Sequence, residues 1–254
     1  MSTTTSTPVP AADGVAIDPQ AVQPAPGPAA AVGYEGETAH RLEADIAEIC
    51  GRYPAGHSRS ALIPMLHLIQ SVDGYVSPRG IALCALVLGL TRTEVSAVAT
   101  FYSQFRRHPA GEYHVGVCTN ALCAVMGGDQ VWEAVSTATG LGNDETSEDG
   151  RISLERIECN AACDYAPVVM VNWEFFDNQT PASAVDLVRR LERGEEVAPT
   201  RGPETLPTFR DNERLLAGFE DGRADQGVGA GGPSLRGLRL ARDNGWTAPR
   251  EERQ

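Results

Sequence analysis

The sequence predicts an α+β chain in which a helical N-terminal part precedes a domain of mixed strands and helices. Apolar residues recur at helical spacing from about residue 38 to about residue 105. From about residue 112 they alternate with polar residues at the period of a β-strand. Two close cysteine pairs follow predicted strands of the second part, and they locate the candidate site.

Four helices are predicted in the N-terminal part. The first two cover about residues 38–51 and 60–72. The third begins with Ser77 as its N-cap and Pro78 in its first turn, which is where proline is tolerated. The fourth opens on Thr91–Glu94, a capping-box sequence. Together these helices predict a small bundle.

The second part alternates strands and helices. Strands are predicted at about 112–117, 152–158 and 168–173, and helices at about 128–139 and 181–193. The resulting order, βαββα, places both cysteine pairs in loops directly after strands. A thioredoxin-like sheet presents a site at one edge in this way.

Four segments are therefore expected. Residues 1–36, rich in Ser, Thr, Pro, Ala and Gly, are predicted to be a disordered tail. The helical bundle takes 37–108 and the thioredoxin-like domain takes 109–195. Residues 196–254 are predicted to be an irregular extension with one short helix at Ser234–Asn244. This extension either folds against its own domain or a partner, or stays disordered.

Composition narrows the class of protein. The chain has 254 residues, 42% of them hydrophobic, and a net charge of −13, which disfavours nucleic acid as a partner. No apolar run reaches the length of a membrane span, and the first 40 residues contain no Arg or Lys. We therefore expect a cytoplasmic protein, in which paired cysteines serve metal or redox chemistry rather than structural disulfides.

The two pairs together supply four thiolates. They are Cys118, Cys123, Cys159 and Cys163. The loops between them, 119–122 and 160–162, are small and largely apolar, which suits an iron–sulfur cluster whose sulfides crowd the chain. A structural zinc site stays open as an alternative. A dithiol oxidoreductase is a weaker one, because Cys-x-x-Cys is absent.

Other residues are given structural interpretations. Cys50 and Cys84 are predicted to be buried core residues. His114 is expected to be a half-exposed neighbour of the site, and 105–108 to be a solvated basic turn between domains. Tyr165 either shields the cluster or packs on the surface.

The residues around the second pair resemble a family signature. Asp149–Pro167 is similar to the pattern of the thioredoxin-like iron–sulfur subunit of NADH:quinone oxidoreductase, respiratory complex I. The matching positions are Asp149, Ser153, Cys159, Cys163, Ala166 and Pro167. The departures are Ile152 for Phe, Asn160 for an aliphatic residue and Ala161 for Gly. Segments 62–75 and 98–106 also look like that family, so the resemblance covers about residues 40–195.

The resemblance implies one 2Fe-2S cluster held by the four cysteines. It further implies a partner subunit that binds FMN and oxidises NADH, other complex I subunits, and a peripheral location on the cytoplasmic face of the bacterial plasma membrane without membrane insertion. No Gly-rich dinucleotide fingerprint occurs in this chain, which agrees with NADH binding elsewhere. The equivalent subunit of an NAD-linked formate dehydrogenase or hydrogenase, and a zinc-stapled interaction module, remain alternatives.

Overall fold

The computed structural model describes residues 27–248. Its N-terminal part contains five helices, which pack around one apolar core. They are α1 (Pro28–Ala31), α2 (Gly36–Gly51), α3 (Leu62–Asp73), α4 (Pro78–Leu88) and α5 (Arg92–Phe101), and a 3-10 turn at Ser58–Ala61 precedes α3.

The helix boundaries follow from local chemistry. The Ser77 hydroxyl accepts a hydrogen bond from the Gly80 backbone N–H at the start of α4, and Thr91 and Glu94 form the predicted capping box of α5. Helices α3 and α4 approach so closely that a Cβ on Gly80 would lie 2.2 Å from the Ile69 side chain. Short polar residues therefore set the ends of these helices, and a glycine allows their close packing.

The predicted tail needs a correction where the structure describes it. Residues 27–36 contain helix α1, and Ala29 and Tyr34 are buried in the helical core. Pro28 occupies the first helical position, where its missing N–H costs nothing. Residues 1–26 lie outside the described residues.

The second part is built on a five-stranded sheet of order β2-β3-β1-β4-β5. The strands are β1 (Tyr113–Cys118), β2 (Glu145–Thr146), β3 (Ile152–Ile157), β4 (Val169–Val171) and β5 (Glu174–Phe176). Strands β1 and β3 are parallel and in direct register, so their carboxyl ends lie side by side. The other pairings are antiparallel.

The structure corrects the predicted strand at 168–173. That run ends as β4 at Val171, and the chain then turns back into β5 through Asn172 and Trp173, which have φ of 50° and 69°. Asparagine tolerates this left-handed conformation, but tryptophan rarely adopts it, so the turn has no clear signal in the sequence. The short edge strand β2 is a further element that the sequence does not predict.

Three helices complete this domain. They are α6 (Ala121–Val125), α7 (Gly128–Thr139) and α8 (Pro181–Glu192). Helices α7 and α8 pack on each other and on the sheet, and their apolar faces form a second core with the strands. Helix α6 carries the second cysteine of the first pair, in a segment where the sequence predicts only a loop.

The C-terminal extension contains more structure than predicted. Helix α9 (Phe209–Leu216) packs against α3, and α10 (Gly232–Asp243) lies close to the predicted short helix. Glu213 of α9 is fully buried. Its carboxylate meets the His67 ring at 2.6 Å and accepts hydrogen bonds from Gln70 at 2.8 Å and Trp173 at 3.2 Å. Helix α9 therefore joins the helical bundle to the sheet domain.

No single helix within residues 27–248 combines the length and apolar character of a membrane span. Helices α4 and α5 meet that test only together, as a pair bent by 119°.

Candidate metal centre

The first cysteine pair lies at the end of β1 and in α6. Cys118 is the last residue of β1, and its backbone N–H donates to the Val168 carbonyl at 3.1 Å. Cys123 lies in α6, and both side chains are only 3% exposed. A Cβ on Gly128 would lie 2.6 Å from the Cys118 carbonyl oxygen, so the start of α7 approaches this pair as only glycine allows.

The second pair lies in the loop after β3. Cys159 is exposed and Cys163 is half-buried, and their Sγ atoms are 3.7 Å apart. Between them Ala161 has φ of 55°, a left-handed conformation that glycine adopts without cost. Ala161, which stands where the signature has Gly, is therefore at a position where the backbone adopts the conformation of glycine.

The parallel pairing of β1 and β3 brings the two loops together. A cavity of about 330 Å³ opens between them and is lined by all four cysteines, together with Asn120, Ala121 and Leu122. The surrounding cluster of buried residues is apolar and includes Ala162, Val168 and Met170. One end of the site is thus buried in the domain and the other, at Cys159, faces solvent.

Two of the four thiols, those of Cys123 and Cys163, disfavour ionisation. Burial, together with the neighbouring Cys118 and Cys163, raises the pKa of the Cys123 thiol to about 11. The pKa of Cys163 is raised first by its contact with Cys159 and then by burial. Ionising Cys123 and Cys163 would therefore be favoured by a nearby cation, and a metal bound here would displace protons and bind more weakly as pH falls.

A side chain outside the cysteine set also contacts a sulfur. The Asn120 amide N–H₂ lies 3.9 Å from the Cys118 Sγ and donates to the Ile157 carbonyl at 3.0 Å. Asn120 therefore ties the loop after β1 to the end of β3 while its N–H₂ group lies near the Cys118 sulfur. The sequence shows Asn120 only as part of a small loop, because its proximity to Ile157 is a consequence of strand pairing.

The donor set fits a binuclear cluster. A 2Fe-2S cluster takes two thiolates on each iron, and each of the two loops supplies one pair of cysteines to the shared cavity. A structural zinc site would need the same four sulfurs tetrahedrally around one point, at about 2.3 Å each.

Two neighbouring residues differ from expectation. His114 is buried rather than half-exposed, with its ring nitrogen Nε2 2.8 Å from Glu155. Arg106 is buried rather than solvated, and its guanidinium pairs with Glu155 and Asp144. Both carboxylates come from the sheet domain, so Arg106 connects the two domains, and a linear sequence cannot show such a partner.

Of the remaining predicted residues, Cys50 and Cys84 lie away from the four thiols and Tyr165 lies near them. Cys84 is fully buried in the helical core, as predicted, and burial raises the pKa of its thiol to about 12. Cys50 is partly buried against the same core. Tyr165 stacks under the Arg201 guanidinium, 4.6 Å from the ring centre, and packs beside the apolar cluster of the site.

These features define a thioredoxin-like sheet with a candidate four-cysteine metal site at one edge. The sequence model described as Thioredoxin-like [2Fe-2S] ferredoxin matches residues 46–192. The chain belongs to this family.

Similar proteins confirm the predicted resemblance to the iron–sulfur subunit of NADH:quinone oxidoreductase. The NADH-quinone oxidoreductase subunit designated E in Mycobacterium tuberculosis (strain ATCC 25618 / H37Rv) is 57% identical over 217 residues, which cover 85% of each chain. NADH-quinone oxidoreductase subunit 2 of Thermus thermophilus is 34% identical over 151 residues, 59% of this chain and 83% of that protein.

A solved NAD+-reducing [NiFe]-hydrogenase is also similar, at 17% identity and a TM-score of 0.46. The match covers 51% of this chain and 23% of the hydrogenase chain. A likeness this small carries no argument about function.

Proposed function

We propose that the two cysteine pairs hold one 2Fe-2S cluster through which the chain transfers single electrons. The four ligands are Cys118, Cys123, Cys159 and Cys163. At the level that its relatives establish, the chain is an electron-transfer 2Fe-2S subunit of an NADH-quinone oxidoreductase. The observation that carries the ligand assignment is the parallel register of β1 and β3, which places all four thiols around one cavity.

When bound, the cluster supplies one-electron redox chemistry. The residues of this chain bury the cluster, limit its contact with water and donate hydrogen bonds to it. The β1 end and α6 bury one pair, the apolar cluster around Val168 and Met170 limits water, and Asn120 offers a hydrogen bond to a ligand sulfur. Each of these features lowers either the access of water to the sulfurs or their charge density. Proteins set the reduction potential of a cluster through these two properties.

The electron donor belongs to another chain. We propose that FMN and NADH bind to a partner subunit, since the sequence of this chain carries no dinucleotide fingerprint. We place the whole assembly, with further complex I subunits, peripherally on the cytoplasmic face of the plasma membrane. The exposed side of the cysteine site, at Cys159, is the side from which a partner cofactor can approach.

Cysteine substitution tests the ligands. In anaerobically purified protein, Cys123→Ser should lose the visible absorption, the iron and the acid-labile sulfide of the cluster. Cys84→Ser is the matched control, a buried cysteine of the helical core, and it should retain all three even if the buried hydroxyl costs about 1–3 kcal/mol of stability. Iron retained in Cys123→Ser, or lost in Cys84→Ser, contradicts the assignment.

Metal analysis of the same preparations distinguishes a 2Fe-2S protein from a zinc-binding interaction module. About two irons and two sulfides for each chain are expected for the cluster. Zinc at about one for each chain, without sulfide, would instead indicate a zinc-stapled interaction module.

A further inference from the structure

Helix α10 lies beside the cysteine site with little support from its own chain. Among the described residues it contacts mainly the turn Cys163–Tyr165, and none of its residues is buried. The Ser234 hydroxyl donates to the Asp164 carboxylate, and the Gly231 backbone packs against the Tyr165 hydroxyl. The helix is therefore attached to the residues that follow the fourth cysteine.

The free surface of α10 is both apolar and basic. Leu238 and Leu240 are 48% and 49% exposed, and Trp246, just after the helix, is 63% exposed. The segment 232–246 carries three arginines against one aspartate, a charge of +2, whereas the whole chain carries −13. The arginines are Arg236, Arg239 and Arg242.

An isolated helix of 12 residues is marginal in water, and α10 buries too little to be stabilised by this chain alone. Exposed leucines and a tryptophan mark an interaction surface. Leu238 and Leu240 are two positions apart and therefore lie on different sides of the helix, so a partner outside the described residues should contact more than one side of α10.

A second apolar patch lies on the other cysteine loop. Leu122, Val125 and Met126 lie in α6 or directly after it, and all three are exposed, Val125 by 82%. Leu122 also lines the cavity of the four thiols. The α6 patch and α10 are thus each attached to one of the two cysteine loops, at the site whose Cys159 faces solvent.

We propose that α10 and the α6 patch form the docking surface for the flavin-bearing partner subunit. This inference rests on the proposed function. The partner should present apolar side chains edged by carboxylates that meet the arginines of α10. A cofactor that exchanges electrons with the cluster must approach its exposed side, and a protein that does so meets both patches.

A membrane surface is the less favoured occupant. Basic amphipathic helices also bind anionic lipid. However, a chain with a net charge of −13 is repelled by such a surface, and α10 is fixed to the cysteine loop rather than held away from the domain. The geometry therefore favours a protein partner.

Charge reversal of α10 tests the proposal in the full chain. The combined variant Arg236→Glu, Arg239→Glu and Arg242→Glu should bind the purified flavin subunit at least tenfold more weakly at low salt, and added salt should narrow this difference from wild type. Val125→Asp should weaken binding independently. Leu86→Glu, an exposed leucine on α4 in the helical part, is the control and should leave affinity unchanged.

The visible spectrum of each variant shows whether the cluster is intact, so that a failure of the proposed function can be told from a failure of the docking surface. If the wild-type chain carries no cluster or does not bind the flavin subunit, the proposed function fails. If wild type binds and the α10 and α6 variants bind equally well with intact spectra, the docking surface is wrong. Binding of wild type, but not the arginine variant, to vesicles of anionic lipid, with subunit affinity unchanged, would assign α10 to the membrane and also overturn the proposal.

Discussion

Ala161 offers a sharp test of the local geometry of the second cysteine loop. Its φ of 55° places an L-residue in the left-handed region, which costs about 1–2 kcal/mol. Glycine avoids that cost but loses about 0.4–1 kcal/mol through the greater freedom of the unfolded chain. Ala161→Gly should therefore leave the protein about 0–1.5 kcal/mol more stable and keep the cluster.

Ala162 is the matched control in the same loop. Its φ is −97° and its methyl group is buried. Glycine there brings no relief of strain, costs the same chain entropy and removes a buried methyl worth about 0.8 kcal/mol. Ala162→Gly should lose about 1–2 kcal/mol, so the two substitutions should differ in sign.

Urea unfolding and thermal melting of the two variants measure the difference. For a chain of this size each kcal/mol shifts the melting temperature by about 2–4 °C. Ala161→Val adds a β-branched side chain at the same φ and should lower both stability and cluster occupancy. The reasoning is refuted if Ala161→Gly destabilises as much as Ala162→Gly, or if Ala161→Val has normal stability and iron content.

Three further predictions follow from the contacts. Asn120→Ala removes a donor from the Cys118 sulfur and should lower the reduction potential of the cluster in an EPR-monitored titration; an unchanged potential would show that the contact is irrelevant. Glu213→Ala removes the carboxylate that contacts buried His67 and Gln70 and half-buried Trp173, and of these Gln70 keeps the Gln104 carbonyl as an acceptor, so urea unfolding should show a loss of about 1–3 kcal/mol, and a loss below about 0.5 kcal/mol would contradict the role of α9. Thr91→Ala should cost about 0.5–2 kcal/mol as a lost N-cap, whereas Thr100→Ala, whose hydroxyl bonds only within α5, should not; equal losses would exclude capping as the cause.

Local signals predicted the parts of the fold that depend on local physics. The capping residues Ser77 and Thr91 mark helix starts in the structure, because a side-chain oxygen and a backbone N–H three residues later interact without help from the rest of the chain. The alternation in 113–117 predicted β1 for the same reason. Short elements such as β2 and β5 carry too few residues for a period to be detected.

The burial of polar residues could not be predicted in the same way. His114 and Arg106 have no local feature that separates them from surface residues. They are buried because Glu155, more than 40 positions later in the chain, reaches both of them across the sheet. The same holds for α9. Its short sequence pattern does not predict a helix, and its Glu213 is buried through contacts with His67 and Gln70 of α3 and with Trp173 of the sheet domain.

The sequence by itself determined the class of fold, the four cysteines and their family, because ligand identity and spacing are written in adjacent residues. Only the tertiary structure decided which pair is buried, that Ala161 takes the conformation of glycine, and where α9 and α10 lie. Those properties depend on contacts between residues far apart in the chain. Such contacts exist only once β1 and β3 have paired and the two cores have closed.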